Sequence, residues 1–134
     1  MSIALWGMIG LALLVLVHVG VDSFVLKGSV GNAWTVGPRD APPEAGPMAG
    51  RAHRALWNLL ETAPAFLAAV LASELSGRGG GWLTWGVALY LMGRVAYLPA
   101  YLSGLPWLRT FIWQIATAGI ALVLLGLWLG APEG

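Results

Sequence analysis

Seven basic and six acidic side chains are spread over 134 residues, and several of them fall at intervals that can build a site. Arg51, Arg54, Asn58 and Glu61 follow one another at spacings of three, four and three, which puts them on one face of a helix. Arg94, Tyr97 and Tyr101 repeat the pattern. A face carrying guanidinium, amide, carboxylate and phenol groups suits a small polyanion, because guanidinium forks onto carboxylates while the neutral groups fix orientation. Arg109 follows a Gly104-Leu105-Pro106 break and precedes Thr110. An arginine at the head of a helix adds its charge to the partial positive charge of unpaired backbone N–H groups, so an anion such as a thiolate is stabilised there.

The chain has no cysteine, so any sulfur chemistry must use a thiol borrowed from another molecule. His18 and Asp22 lie one helical turn apart, but two ligands do not make a metal site, and an interhelical hydrogen bond is the expectation; no metal is expected. His53 reads as a surface residue at the membrane edge. There is no phosphate-binding loop, dinucleotide fingerprint, zinc motif or nucleophile elbow.

These side chains need elements to position them, and composition says which kind. Hydrophobic residues make up 58% of the chain and charged residues 10%, with a mean hydropathy of +0.77. A soluble domain carries about 25% charged residues. The formal net charge of +1 leaves no basic surface for a nucleic-acid partner. Apolar runs separated by Gly- and Pro-rich breaks predict four membrane helices at about residues 2–27, 49–76, 81–103 and 106–130 of a single domain spanning 1–134, with Gly28 to Gly50 as the one long loop. Long runs such as Ala116 to Leu129 do not alternate as barrel strands must. The fold class is therefore all-α, an integral membrane antiparallel four-helix bundle. The first run is not read as a signal peptide, since no Lys or Arg precedes it and no small-x-small site follows.

Lys27, Arg39, Arg51, Arg54 and Arg109 gather at one side, which predicts loops one and three in the cytoplasm and both termini outside, Arg78 and Glu133 being the sparse charges there. Trp6, Trp82, Trp85 and Trp128 fall near the outer boundary, with Trp34 and Trp107 near the inner one. Counting depth at about 1.5 Å per residue, Glu61 and Arg94 reach one level of antiparallel neighbours and are expected to meet as a buried ion pair. Ala65, Ala68, Ala69 and Ala72 form a small-residue stripe for close helix packing.

The stretch Arg51-Ala52-His53-Arg54-Ala55-Leu56-Trp57-Asn58-Leu59-Leu60-Glu61-Thr62-Ala63-Pro64, then Arg94 to Tyr101 and Gly104 to Thr110, resembles the superfamily of membrane-associated proteins in eicosanoid and glutathione metabolism (MAPEG), in the style of its small bacterial branch. The resemblance implies a homotrimer in a bacterial inner membrane, with glutathione as cosubstrate bound between subunits near the cytoplasmic face. It implies glutathione contacts from Arg51, Arg54, Asn58, Glu61, Arg94, Tyr97, Tyr101 and Thr110, and a catalytic Arg109 that holds the thiolate. Thr62 stands where several enzymatic members carry a tyrosine. The function so implied is a glutathione-dependent transferase or peroxidase acting on a lipophilic electrophile. The alternative is a non-catalytic scaffold or assembly protein, or a binder of another anionic small molecule or a lipid headgroup.

Overall fold

The computed structural model describes residues 1–130; Glu133, placed above at the outer side, lies outside the described residues. Four helices follow in order: α1 (Ile3–Val36), α2 (Pro47–Ser76), α3 (Gly80–Ser103) and α4 (Pro106–Leu129). Cross-links between their ends establish the antiparallel order. Ser2, which caps α1, donates its hydroxyl to Glu74 near the end of α2. Arg51 at the start of α2 reaches Leu102 O at the end of α3, and Arg78 before α3 reaches Gly130 O after α4.

Three of the helices, α1, α2 and α4, are long and apolar enough to cross a membrane. The 24 residues of α3 span about 36 Å at 1.5 Å each, a comparable length. Trp6, Trp82, Trp85 and Trp128 are exposed around one end of the bundle, and Trp107 is exposed at the other. Such rings sit well at the boundary between hydrocarbon and water.

The core is built by α2, α3 and α4 in helical register. Leu59, Phe66 and Val70 meet Leu83, Val87 and Tyr90, and both rows meet Ala116, Ile120 and Val123. Helix α1 adds Ala4 and Leu11 from one side. It packs on α2 and α3 but does not touch α4, so α1 and α4 stand diagonally across the bundle.

The closest approach is between α3 and α4, not along the alanine stripe of α2, of which only Ala69 is buried. Gly86 and Gly93 face Gly119 and Ala116 across a seam with no room for a further carbon. A methyl group on Gly119 would lie 2.6 Å from Gly86 O and 2.7 Å from Tyr90 N. Without a hydrophobic drive between helices in lipid, backbone approach of this kind is what gives close-packed association.

Helix α1 runs past the expected boundary. Gly28 is helical, and the helix is interrupted only at Gly31, whose φ of 80° and ψ of 173° are open to glycine alone. Helical geometry resumes over residues 32–36, and Thr35 Oγ1 donates to Gly31 O at 2.8 Å. Arg39 then closes this last turn with two donors on Thr35 O, at 3.0 and 2.6 Å. The loop between α1 and α2 is thus residues 37–46, shorter than the Gly28 to Gly50 expected.

The seam gives a direct check. Gly119→Ala should lower the thermal midpoint of the protein in detergent, costing about 1–3 kcal/mol through overpacking. Gly20→Ala, where an added carbon meets nothing within 4 Å, should leave the midpoint unchanged or raise it.

Candidate functional site

Arg94 is the hub. It is 0% exposed, on the inner face of α3. A cation in an apolar bundle must be surrounded by acceptors, and α2 supplies them. Nη1 donates to Asn58 Oδ1 at 2.7 Å, and Nη2 donates to Thr62 Oγ1 at 2.6 Å. Thr62 spends its own proton on Leu59 O at 3.2 Å, so the Tyr90 hydroxyl, 3.0 Å away, donates to Thr62. Tyr90 in turn stacks on Phe66, ring centroids 4.0 Å apart.

The expected ion pair between Glu61 and Arg94 is therefore not formed. The reason is azimuth. At about 100° per residue, Asn58 and Thr62 are some 40° apart on α2, whereas Glu61 is rotated about 60° from Asn58 in the opposite sense. Depth is shared but direction is not: Glu61 and Arg54 are exposed on the outer side of the bundle, while Asn58 and Thr62 turn inward.

Aromatic faces carry the charge of Arg94 along α3. Its guanidinium carbon lies 5.4 Å from the Tyr90 ring centre and 5.3 Å from that of Tyr97. Tyr97 meets Tyr101 edge to face at 5.4 Å, and the Arg109 guanidinium covers Tyr101 at 4.9 Å. Positions 90, 94, 97 and 101 recur at helical spacing, so one face of α3 holds ring, cation, ring, ring, and α4 adds the final cation. Ala55, Leu98, Ile112 and Trp113 pack around the two outer tyrosines. Cation–ring contacts of this sort contribute about 0.5–2 kcal/mol each, more when desolvated.

The other sequence-selected residues divide. Arg51 ends α3: its Nη1 donates to Leu102 O at 3.1 Å and the guanidinium lies against the Gly104 turn, where φ is 78°. Arg54 lies exposed beside Gly50. Thr110 donates its hydroxyl back to Pro106 O at 2.9 Å in the first turn of α4, next to half-exposed Arg109. The structure thus brings Asn58, Arg94, Tyr97, Tyr101 and Arg109 into one continuous array. Arg54, Glu61 and Thr110 border it from the surface, and Arg51 stands apart as a helix cap.

Thr62, noted in the sequence only for the tyrosine it replaces, and Tyr90 were not among the expected site residues. Both had a signal, since Thr62 is four residues from Asn58 and Tyr90 four before Arg94. His18 and Asp22 do not converge. His18, 1% exposed, donates Nδ1–H to Leu14 O of its own helix at 2.8 Å, while Asp22 turns to His53 on α2. Among the described residues no cluster of three or more His, Asp or Glu is placed to hold a metal ion.

Because Asn58 and Thr62 share one guanidinium, their removal should not be additive. Asn58→Ala and Thr62→Val should each cost about 1–3 kcal/mol by leaving a buried donor unpaired. The double variant should depart from their sum by about 0.5 kcal/mol or more in denaturant titrations of the detergent-solubilised protein.

No curated protein matches the chain. The model of the MAPEG family matches residues 3–130, which takes in all four helices and the whole array. The chain belongs to the MAPEG family and is an integral membrane protein built as its four-helix bundle.

Proposed function

We propose that this protein is a glutathione-dependent membrane transferase or peroxidase acting on lipophilic electrophiles. The observation that carries the reading is Arg109 resting on Tyr101 at the head of α4, with Arg54 exposed at the same end of the bundle and Glu61 exposed about 10 Å further along α2. A thiol tripeptide presents two carboxylates, one ammonium and one ionisable sulfur. Arg54 suits a carboxylate, Glu61 the ammonium, and Arg109 the thiolate, which the α4 N-terminus also favours.

Asn58, Arg94 and Thr62 act one step behind. Arg94 has both terminal nitrogens committed to α2, so its part is to fix the level of Tyr97 and Tyr101 against Arg54 and Glu61. Arg51 serves the α3–α4 turn that aims Arg109. The outward direction of Arg54 and Glu61 suits a site completed by a neighbouring copy in a trimer, as the family resemblance implies. In the transferase case the thiolate sulfur bonds to the electrophilic carbon, the leaving group departs with the bond's electron pair, and the thiol proton passes to solvent. Catalysis is then thiol ionisation plus positioning.

The test uses the purified full chain in detergent. Millimolar glutathione should raise the melting temperature, because a ligand of the native state stabilises it. The protein should conjugate a reactive aryl halide or reduce a lipid hydroperoxide. Arg109→Ala should keep the glutathione-induced shift while lowering turnover by on the order of 10²-fold, the effect of removing one preorganised charge-stabilising group. Absence of both shift and turnover overturns the proposal and leaves the scaffold or other-anion reading.

A further inference from the structure

A second cluster sits at the loop-one end of the bundle, and the thiol site makes no use of it. Asp22 of α1 and His53 of α2 meet with Oδ2 and Nδ1 3.2 Å apart. One turn along α2, Trp57 donates its indole N–H to His53 Nε2 at 2.9 Å. With Nε2 accepting from the indole, the hydrogen of His53 Nδ1 points to Asp22. His53 therefore occupies Asp22 Oδ2 and leaves Oδ1 open. Among the described residues no Lys or Arg lies within 4.0 Å of that carboxylate.

Asp22 and His53 face a cavity of about 370 Å³ whose other side chains, Leu26, Trp34, Pro43, Ala45 and Ala49, are apolar. Its size falls within the range of small-molecule sites. Loop one roofs it, and the roof is fastened: Gly46 N–H donates to Ser29 Oγ at 2.7 Å, and the Trp34 indole donates to Ala41 O at 3.2 Å. The side chain of Asp22 is 17% exposed and that of His53 59%, so the polar end of the cavity is reachable.

We propose that this cavity binds a lipophilic ammonium, a protonated amine on a small apolar body. The apolar body occupies the space between Leu26, Trp34 and Pro43. The ammonium takes Asp22 Oδ1, the oxygen that His53 leaves open. A carboxylate ligand meets a like charge there, and an alcohol has a donor but no charge to offer, so the order of preference is amine, alcohol, acid. This site lies on the α1–α2 side of the bundle and is independent of the thiol reading.

The chain's two histidines make the test specific. Protein labelled with ¹⁵N-histidine in zwitterionic nanodiscs is titrated with 2-phenylethylamine, 2-phenylethanol and 3-phenylpropanoate, and the imidazole resonances are followed. The amine should shift His53 saturably and leave His18, buried in the bundle, unmoved; the propanoate should shift neither. Asp22→Asn retains an acceptor for His53 while removing the charge, and should weaken the amine by about tenfold or more. Ala45→Trp, at an exposed position on the cavity wall, should abolish the response by filling the space. A non-saturating response, equal responses to amine and propanoate, or an amine affinity unchanged in Asp22→Asn overturns the proposal. If Asp22→Asn fails to fold, an unaltered amine response in Ala45→Trp overturns it as well.

Discussion

A guanidinium held inside an apolar bundle sets the terms for the rest of this molecule. Arg94 is fully buried, with no carboxylate within ion-pairing reach among the described residues, so its charge is dispersed over two neutral oxygens and two phenol rings. That arrangement permits only one vertical setting of α3 against α2. Slide either helix by a turn, and Asn58 and Thr62 pass out of range, leaving a buried cation whose desolvation costs several kcal/mol. The level of Tyr97, Tyr101 and hence Arg109 at the bundle end is inherited from this one contact.

The remaining basic residues show a division of labour that follows from backbone chemistry. Each helix ends with carbonyls that its own ladder cannot satisfy. Arg39 answers those of the last turn of α1, Arg51 those of α3, and Arg78 the carbonyl of Gly130 after α4. Positive charge near the boundary therefore has structural work as well as topological meaning. What it leaves for a ligand is Lys27 on α1 and Arg54 on α2, both exposed, and Arg109 with its ring partner.

The number and order of helices were legible because long apolar runs are punctuated by the Ser76-Gly77-Arg78-Gly79 and Gly104-Leu105-Pro106 breaks. The end of α1 was not: residues 28–36 hold two glycines and Ser29, Asn32 and Thr35, as a loop would, yet they are helical around the Gly31 break and tied down through Ser29, Trp34 and Arg39. For the array, spacing gave depth but not direction. Glu61 and Thr62 stand at nearly the same height, and a rotation of about 100° decides that the hydroxyl, not the carboxylate, meets Arg94. The Asp22–His53 contact joins residues 31 apart on different helices, and no local pattern marks such a pair.

Helix α1 touches its neighbours along a narrow line, through Ala4, Gly7, Leu11 and His18, and is greasy over the rest of its circumference. Lipid offers no torque to choose among rotations of such a rod about its long axis. Two polar clasps on α2 make the choice, Ser2 on Glu74 and Asp22 with His53, set about 30 Å apart. Loosening one clasp leaves the rotation of α1 to the other and to the close contact of Gly7 and Gly10 with Val87 and Leu91, whereas α3 and α4 are held along their whole glycine seam.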